Sequence, residues 1–141
     1  MREQHPWVKR SLTTLALAAV ALTAYAGAAG GATRIPTLRA DVGEWSIVPS
    51  VGAVRAGRVR IDVRNLGADA HEIVLVRTKS FAARLPLRGT RAVARPEAAP
   101  VLVRAGQHAS FVVTLRPGSY LLLDNLPWHY WQGTSTAFSV R

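Results

Sequence analysis

From position 59 to position 64 the chain reads Val-Arg-Ile-Asp-Val-Arg, apolar and charged residues in strict alternation. Successive side chains of an extended strand point to opposite faces, so this pattern predicts a strand with one buried face and one wet face. It stops at Asn65-Leu66-Gly67, a turn signal. Runs rich in Val, Leu, Ile and aromatic residues predict further strands at 44–48, 71–77, 101–104, 110–115, 119–123 and 136–140, with Pro117-Gly118 as a tight turn between two of them. Residues 79–100 break the rhythm: they hold Arg84, Arg88, Arg91 and Arg95 without alternation, which predicts an irregular excursion with one helical turn near 80–84. No long stretch carries helical periodicity. Short strands punctuated by turns predict an all-β fold, an antiparallel Greek-key β-sandwich.

The N-terminus follows a different pattern. Arg2, Lys9 and Arg10 stand against Glu3 in the first ten residues, and residues 11–33 then run without a charge. A basic stretch, an apolar stretch and small residues at Ala24-Tyr25-Ala26 and Ala26-Gly27-Ala28 make the order of a secretory signal with an A-x-A cleavage site. The expected division is a signal peptide over 1–26, a linker over 27–36 and one domain over 37–141, with the exported chain starting near Gly27 or Ala29. The alternative is an uncleaved anchor, because 23 uncharged residues can span a bilayer. Membrane attachment is expected only through such an uncleaved segment. The destination is extracellular, periplasmic or elsewhere in the cell envelope.

Composition narrows the chemistry. The chain has no cysteine, so an exported domain of this size must rest on core burial without disulfides, and no lipid-modified cysteine anchors it. The only methionine is Met1. Eighteen basic and eight acidic residues give a net charge of +10; three of those bases and one of those acids lie in the first 26 residues, leaving +8 beyond them. A field of that sign favours an anionic surface, such as lipid headgroups or acidic wall polymers, or the acidic face of an envelope protein. Nucleic acid is not expected, since the arginines are dispersed and no binding motif accompanies them. No Ser/His/Asp order, Gly-rich phosphate loop or carboxylate pair points to an enzyme, and a monomer is expected.

The succession EWSIVPS, AGRVRIDVRN, NLGADAHE, an irregular stretch, AGQHASFVVTLRPGSYLLL and DNLPWHYWQGT resembles small exported cupredoxins of the plastocyanin and sulfocyanin type, over residues 40–141. The resemblance implies a copper site. In that family the first histidine ligand follows an Asn-x-Gly turn and opens a His-Glu or His-Asn pair, which His71 matches. The second cluster runs Cys, His, Met at spacings that here read Asp124, His129 and Thr134, and Trp128 replaces a small residue before the second histidine. Both histidines are kept and both sulfur ligands are replaced. A thiolate is what lets a blue-copper site hold both oxidation states with little rearrangement, whereas a carboxylate favours Cu(II). The resemblance in fold therefore does not by itself imply fast one-electron transfer.

Three readings compete for His71, Asp124 and His129. In the first they hold a metal, copper ahead of zinc, with water or the Thr134 hydroxyl as a fourth ligand. In the second there is no metal, and Asp124 accepts hydrogen bonds from one or both histidines. In the third, Asp124-Asn125-Leu126-Pro127 is only a turn. Trp128, Tyr130 and Trp131 flank His129 and are candidates for a partner-binding surface; the alternative is that some of them cover the loop against Tyr120 and Trp45. His108 reads as a solvated residue at a turn. Glu72 should point to the sheet face opposite His71 and stay out of the site. The function implied is an exported binding module, with metal-free docking and residual electron transfer as the alternatives.

Overall fold

A computed structural model describes residues 34–141. The expected signal segment, its cleavage sites and most of the linker lie outside the described residues. Within them the chain forms eleven strands: β1 (Thr37–Gly43), β2 (Ser46–Pro49), β3 (Ala53–Val54), β4 (Gly57–Asn65), β5 (His71–Thr78), β6 (Leu87–Arg88), β7 (Arg91–Ala92), β8 (Val101–Val103), β9 (His108–Leu115), β10 (Gly118–Asp124) and β11 (Ser135–Val140). Their order in space is β2-β1-β4-β9 in one sheet and β3-β11-β10-β5-β8 in the other, with β6-β7 as a small hairpin. The fold is the expected all-β sandwich. Each main sheet is mixed, because β1 runs parallel to β4 and β3 parallel to β11 while the other pairings are antiparallel.

The alternation read at 59–64 sits where it should. Val59, Ile61 and Val63 of β4 point inward with Leu38, Ala40 and Val42 of β1, and meet Ile73, Leu75, Tyr120, Leu122 and Phe138 of the facing sheet. Each of the larger of these side chains contributes about 1.5–3 kcal/mol by leaving water. Tyr120 stacks on Phe138 with ring centroids 5.7 Å apart, and its hydroxyl donates to Arg116 O at 2.8 Å, so it serves the core and lies away from the aromatic loop.

The outer face of the second sheet is covered. Val74, Val76, Leu121 and Leu123 point away from the main core and form a second cluster with Ala92, packed by Leu85, Ala94 and Tyr130. Residues 79–100 supply much of this cover, so the excursion buries a sheet face that would otherwise meet water. The helical turn expected near 80–84 is a single hydrogen-bonded turn, Ala83 N–H to Ser80 O at 3.1 Å; no helix forms among the described residues. None there is therefore long and apolar enough to cross a membrane.

Candidate metal centre

The first histidine is delivered by the Asn65 turn. Asn65 ends β4, buried, and its Oδ1 accepts the Gly67 N–H at 2.8 Å while its Nδ2 donates to Asp69 O at 2.7 Å and to Val103 O at 3.0 Å. The Asn-x-Gly spacing thus closes a turn onto its own backbone and starts β5 at His71, which is fully buried. Glu44 braces the same turn by accepting the Ala68 N–H, a bond that holds its carboxyl below the ordinary 4.5. The approach is close enough that a Cβ on Gly67 would lie 2.5 Å from Glu44 Oε1, so a larger residue there would push this carboxylate aside.

Asp124 ends β10, antiparallel to β5, and so arrives at the same end of the sandwich as His71. Its buried carboxylate is the hub. Oδ1 accepts the N–H groups of Glu72 and Leu126, both at 2.9 Å, and Oδ2 lies 2.6 Å from His71 Nδ1 and 2.5 Å from His129 Nδ1. An ionised carboxylate only accepts and offers about four positions, all of which are taken, so each imidazole donates from Nδ1. His71 Nε2 is buried and has no partner among the described residues.

The loop between β10 and β11 is closed by its own backbone. Asp124 N–H donates to Thr134 O at 3.0 Å and Thr134 N–H to His129 O at 3.1 Å, while the buried Thr134 hydroxyl donates to Glu44 O at 3.2 Å. Thr134 therefore ties the loop to the β1–β2 connection through the hydroxyl considered as a fourth ligand. Asn125 ties it to the excursion: its Oδ1 accepts the Ala92 N–H at 2.7 Å, and its carbonyl accepts Arg91 Nη1 at 2.6 Å. Glu72 points away from the site to pair with Arg91 at 2.8 Å, as expected, but its backbone N–H belongs to the Asp124 hub. His108 is exposed at the first position of β9.

The aromatic residues divide. Trp128 and Trp131 are 53% and 62% exposed and meet edge to face with centroids 6.0 Å apart. Trp45 joins from the β1–β2 connection, its ring 5.9 Å from that of His129. Tyr130 is half-buried, with its hydroxyl accepting the Leu85 N–H at 2.9 Å, so it packs the loop beside the cleft that it lines together with Trp131. Trp128 has φ +72°, a conformation that suits glycine and strains a bulky side chain.

The structure brings His71, Asp124 and His129 together, with one donor atom of each within 4.8 Å of the others. Two imidazoles and a carboxylate suit Cu(II) or Zn(II) by chemistry. The 2.5 and 2.6 Å spans are hydrogen-bond lengths, shorter than the roughly 3.3 Å between two donors on one tetrahedral ion. An ion would therefore take the place of the two Nδ1 protons. Asp124 also makes the turn bond to Leu126, so the same carboxylate serves the turn and the two histidines. The backbone donors at Glu72 and Leu126 and the braces at Glu44 and Asn125 were not foreseen; of these, only the Asp-Asn pair before proline carried a local signal.

No protein-family model matches the chain, and no curated protein matches it. Solved structures do. A sodium-dithionite-reduced auracyanin from Roseiflexus castenholzii aligns with TM-score 0.53 at 19% identity, covering 74% of this chain and 96% of that one. Rusticyanin from Thiobacillus ferrooxidans aligns with TM-score 0.53 at 13% identity, covering 74% of this chain and 77% of its own. The multicopper oxidase McoA from Aquifex aeolicus aligns with TM-score 0.53 at 16% identity over 77% of this chain and 30% of the oxidase. At these identities the likeness concerns the fold. The chain has the cupredoxin fold, with a His71/Asp124/His129 group at one end of its sandwich and no cysteine to complete a blue-copper site.

Proposed function

We propose that this domain is an exported binding module that takes up Cu(II) through His71, His129 and Asp124, and that it is not a blue-copper electron carrier. The convergence of both Nδ1 atoms on Asp124 Oδ2 carries this reading, because it aims three suitable donors at one point. Affinity order among divalent ions favours copper over zinc at nitrogen and oxygen donors. When bound, Cu(II) would supply a positive centre beside the buried carboxylate. The chain's own part is positioning: the Asn65 turn sets His71, the Glu72 and Leu126 N–H groups orient Asp124, and the Thr134 bonds hold the His129 loop. Export rests on the order of basic, apolar and small residues at 1–26.

A second reading, metal-free docking, is supported by the filled acceptor positions of Asp124, which leave the hub satisfied without an ion. Copper uptake separates the two. Wild-type protein exposed to excess Cu(II) and then desalted should retain about one ion per chain, almost colourless because there is no thiolate, with nitrogen hyperfine structure in its paramagnetic resonance spectrum. His129→Ala should lose that ion. Retention no greater than that of an unrelated basic domain would reject the copper reading in favour of the docking one.

A further inference from the structure

Residues 79–95 carry Lys79, Arg84, Arg88, Arg91 and Arg95 with no acidic residue among them. All five are exposed, and only Arg91 has an ion-pair partner among the described residues. The same segment exposes Phe81, Leu87 and Val93. Phe81, Arg84 and Leu87 line a cleft of about 910 Å³ whose other wall includes Trp131. Trp128 is fastened to the segment by its N–H bond to Thr90 O at 2.8 Å. Arg84, Phe81, Leu87 and Trp131 thus meet at one cleft, and the other cations lie on the same segment of chain.

The backbone at Trp128 adds a second observation. A left-handed conformation costs a bulky residue about 1–2 kcal/mol that glycine would not incur, yet the side chain there is an exposed indole. The indole does little for the core, which leaves it free for contact outside the domain.

We infer that this surface docks on an anionic lipid bilayer. The arginines and Lys79 meet the phosphate headgroups, and Trp128, Trp131 and Phe81 enter the headgroup boundary, where amphipathic rings are favoured. A phosphate polymer would satisfy the charges and leave the exposed rings in water; a bilayer takes both, and protein-free vesicles set it apart from an acidic protein face. This departs from the expectation of membrane contact only through an uncleaved N-terminal segment. It stands on the surface residues and not on copper.

The test uses the full chain, with a chelator present, and vesicles of phosphatidylglycerol or of phosphatidylcholine. Each basic residue at an anionic surface is worth about fivefold in partitioning, so Arg84→Gln, Arg88→Gln and Arg95→Gln together should lower binding to the anionic vesicles about a hundredfold. The same neutralisation on the other sheet, Arg39→Gln with Arg58→Gln and Arg60→Gln, should change it by no more than about twofold. Phe81→Ala with Trp131→Ala, both at exposed positions, should lower it about tenfold. Wild-type tryptophan emission should shift to shorter wavelength with anionic vesicles and stay unchanged with neutral ones. Equal losses from the two arginine sets would overturn the proposal in favour of net charge acting without a face. No loss from either set, or none from Phe81→Ala with Trp131→Ala, would overturn it as well, the latter marking an anionic polymer as the better partner.

Discussion

The sheet β2-β1-β4-β9 has water on its outer side, where Arg39, Arg58, Arg60 and Arg64 stand exposed between its buried residues. In the sheet β3-β11-β10-β5-β8 the two central strands β10 and β5 are covered on both sides, so Ile73 through Val76 of β5 and Tyr120 through Asp124 of β10 are buried without interruption. The same extended backbone therefore bears an alternating sequence in one sheet and a continuous apolar one in the other, according to what lies on the second face. That difference also sets the place of the site. His71 and Asp124 lie on these two adjacent, doubly covered strands, where a carboxylate with all its acceptor positions filled can be buried.

The comparison breaks most sharply in the main core. Phe138→Ala should cost about 3–5 kcal/mol in urea unfolding, because it opens a cavity beneath both sheets. Val112→Ala, on the wet face of β9, should stay within about 0.5 kcal/mol. Similar losses from the two would contradict the assignment of faces.

Leu121→Ala probes the covering layer. It should cost about 2–3 kcal/mol, and hydrogen exchange should quicken in residues 79–95 before it quickens in β1 and β4. Uniform acceleration would mean that the excursion is not a separate layer resting on the second sheet. Trp128→Gly is expected to act in the opposite sense, raising stability by about 1 kcal/mol through relief of its left-handed backbone. A lower midpoint would show that the indole packs better than its exposure implies.

The smallest effect lies on the wet sheet. Two bonds of 3.0 Å from Arg64 hold the Asp41 carboxyl below the ordinary 3.8. A depressed carboxyl pKa stabilises the fold above the unfolded value and loses that contribution as pH falls through the folded one. The difference between wild type and Arg64→Gln should therefore be present near neutral pH and vanish once the pH has fallen through the lowered folded-state value. Both side chains are largely exposed, so it should be small and fade in high salt. A difference that persists in acid would assign it to packing of the arginine stem.

Much of this arrangement was legible in the residues. β4 announced itself because its outer face is charged, and β5, β8, β9, β10 and β11 were located to within about two residues because apolar runs and turn residues coincide. β1 went unread although Leu38, Ala40 and Val42 alternate with polar neighbours, since an alanine at its centre weakens the signal. β3, β6 and β7 have two residues each, too few to display a period. In the site, the resemblance to small cupredoxins pointed to His71, Asp124 and His129. The N–H groups of Glu72 and Leu126 were hidden because any residue supplies one, and the Glu44 and Asn125 braces because their partners are distant in sequence. The inward turn of Tyr130 belongs to an irregular loop, where no periodicity assigns faces.

The central claim is that positions 71, 124 and 129 converge as a copper-ligand set whose soft member has been replaced by a carboxylate. The visible absorption spectrum of Asp124→Cys after copper loading tests it most directly, with circular dichroism reporting that the variant is folded. A thiolate set between two converging imidazoles should produce an intense blue or green band, and adding Thr134→Met should move that band toward the blue-copper range. A folded Asp124→Cys protein that stays colourless and holds no more copper than an unrelated basic domain would contradict the claim.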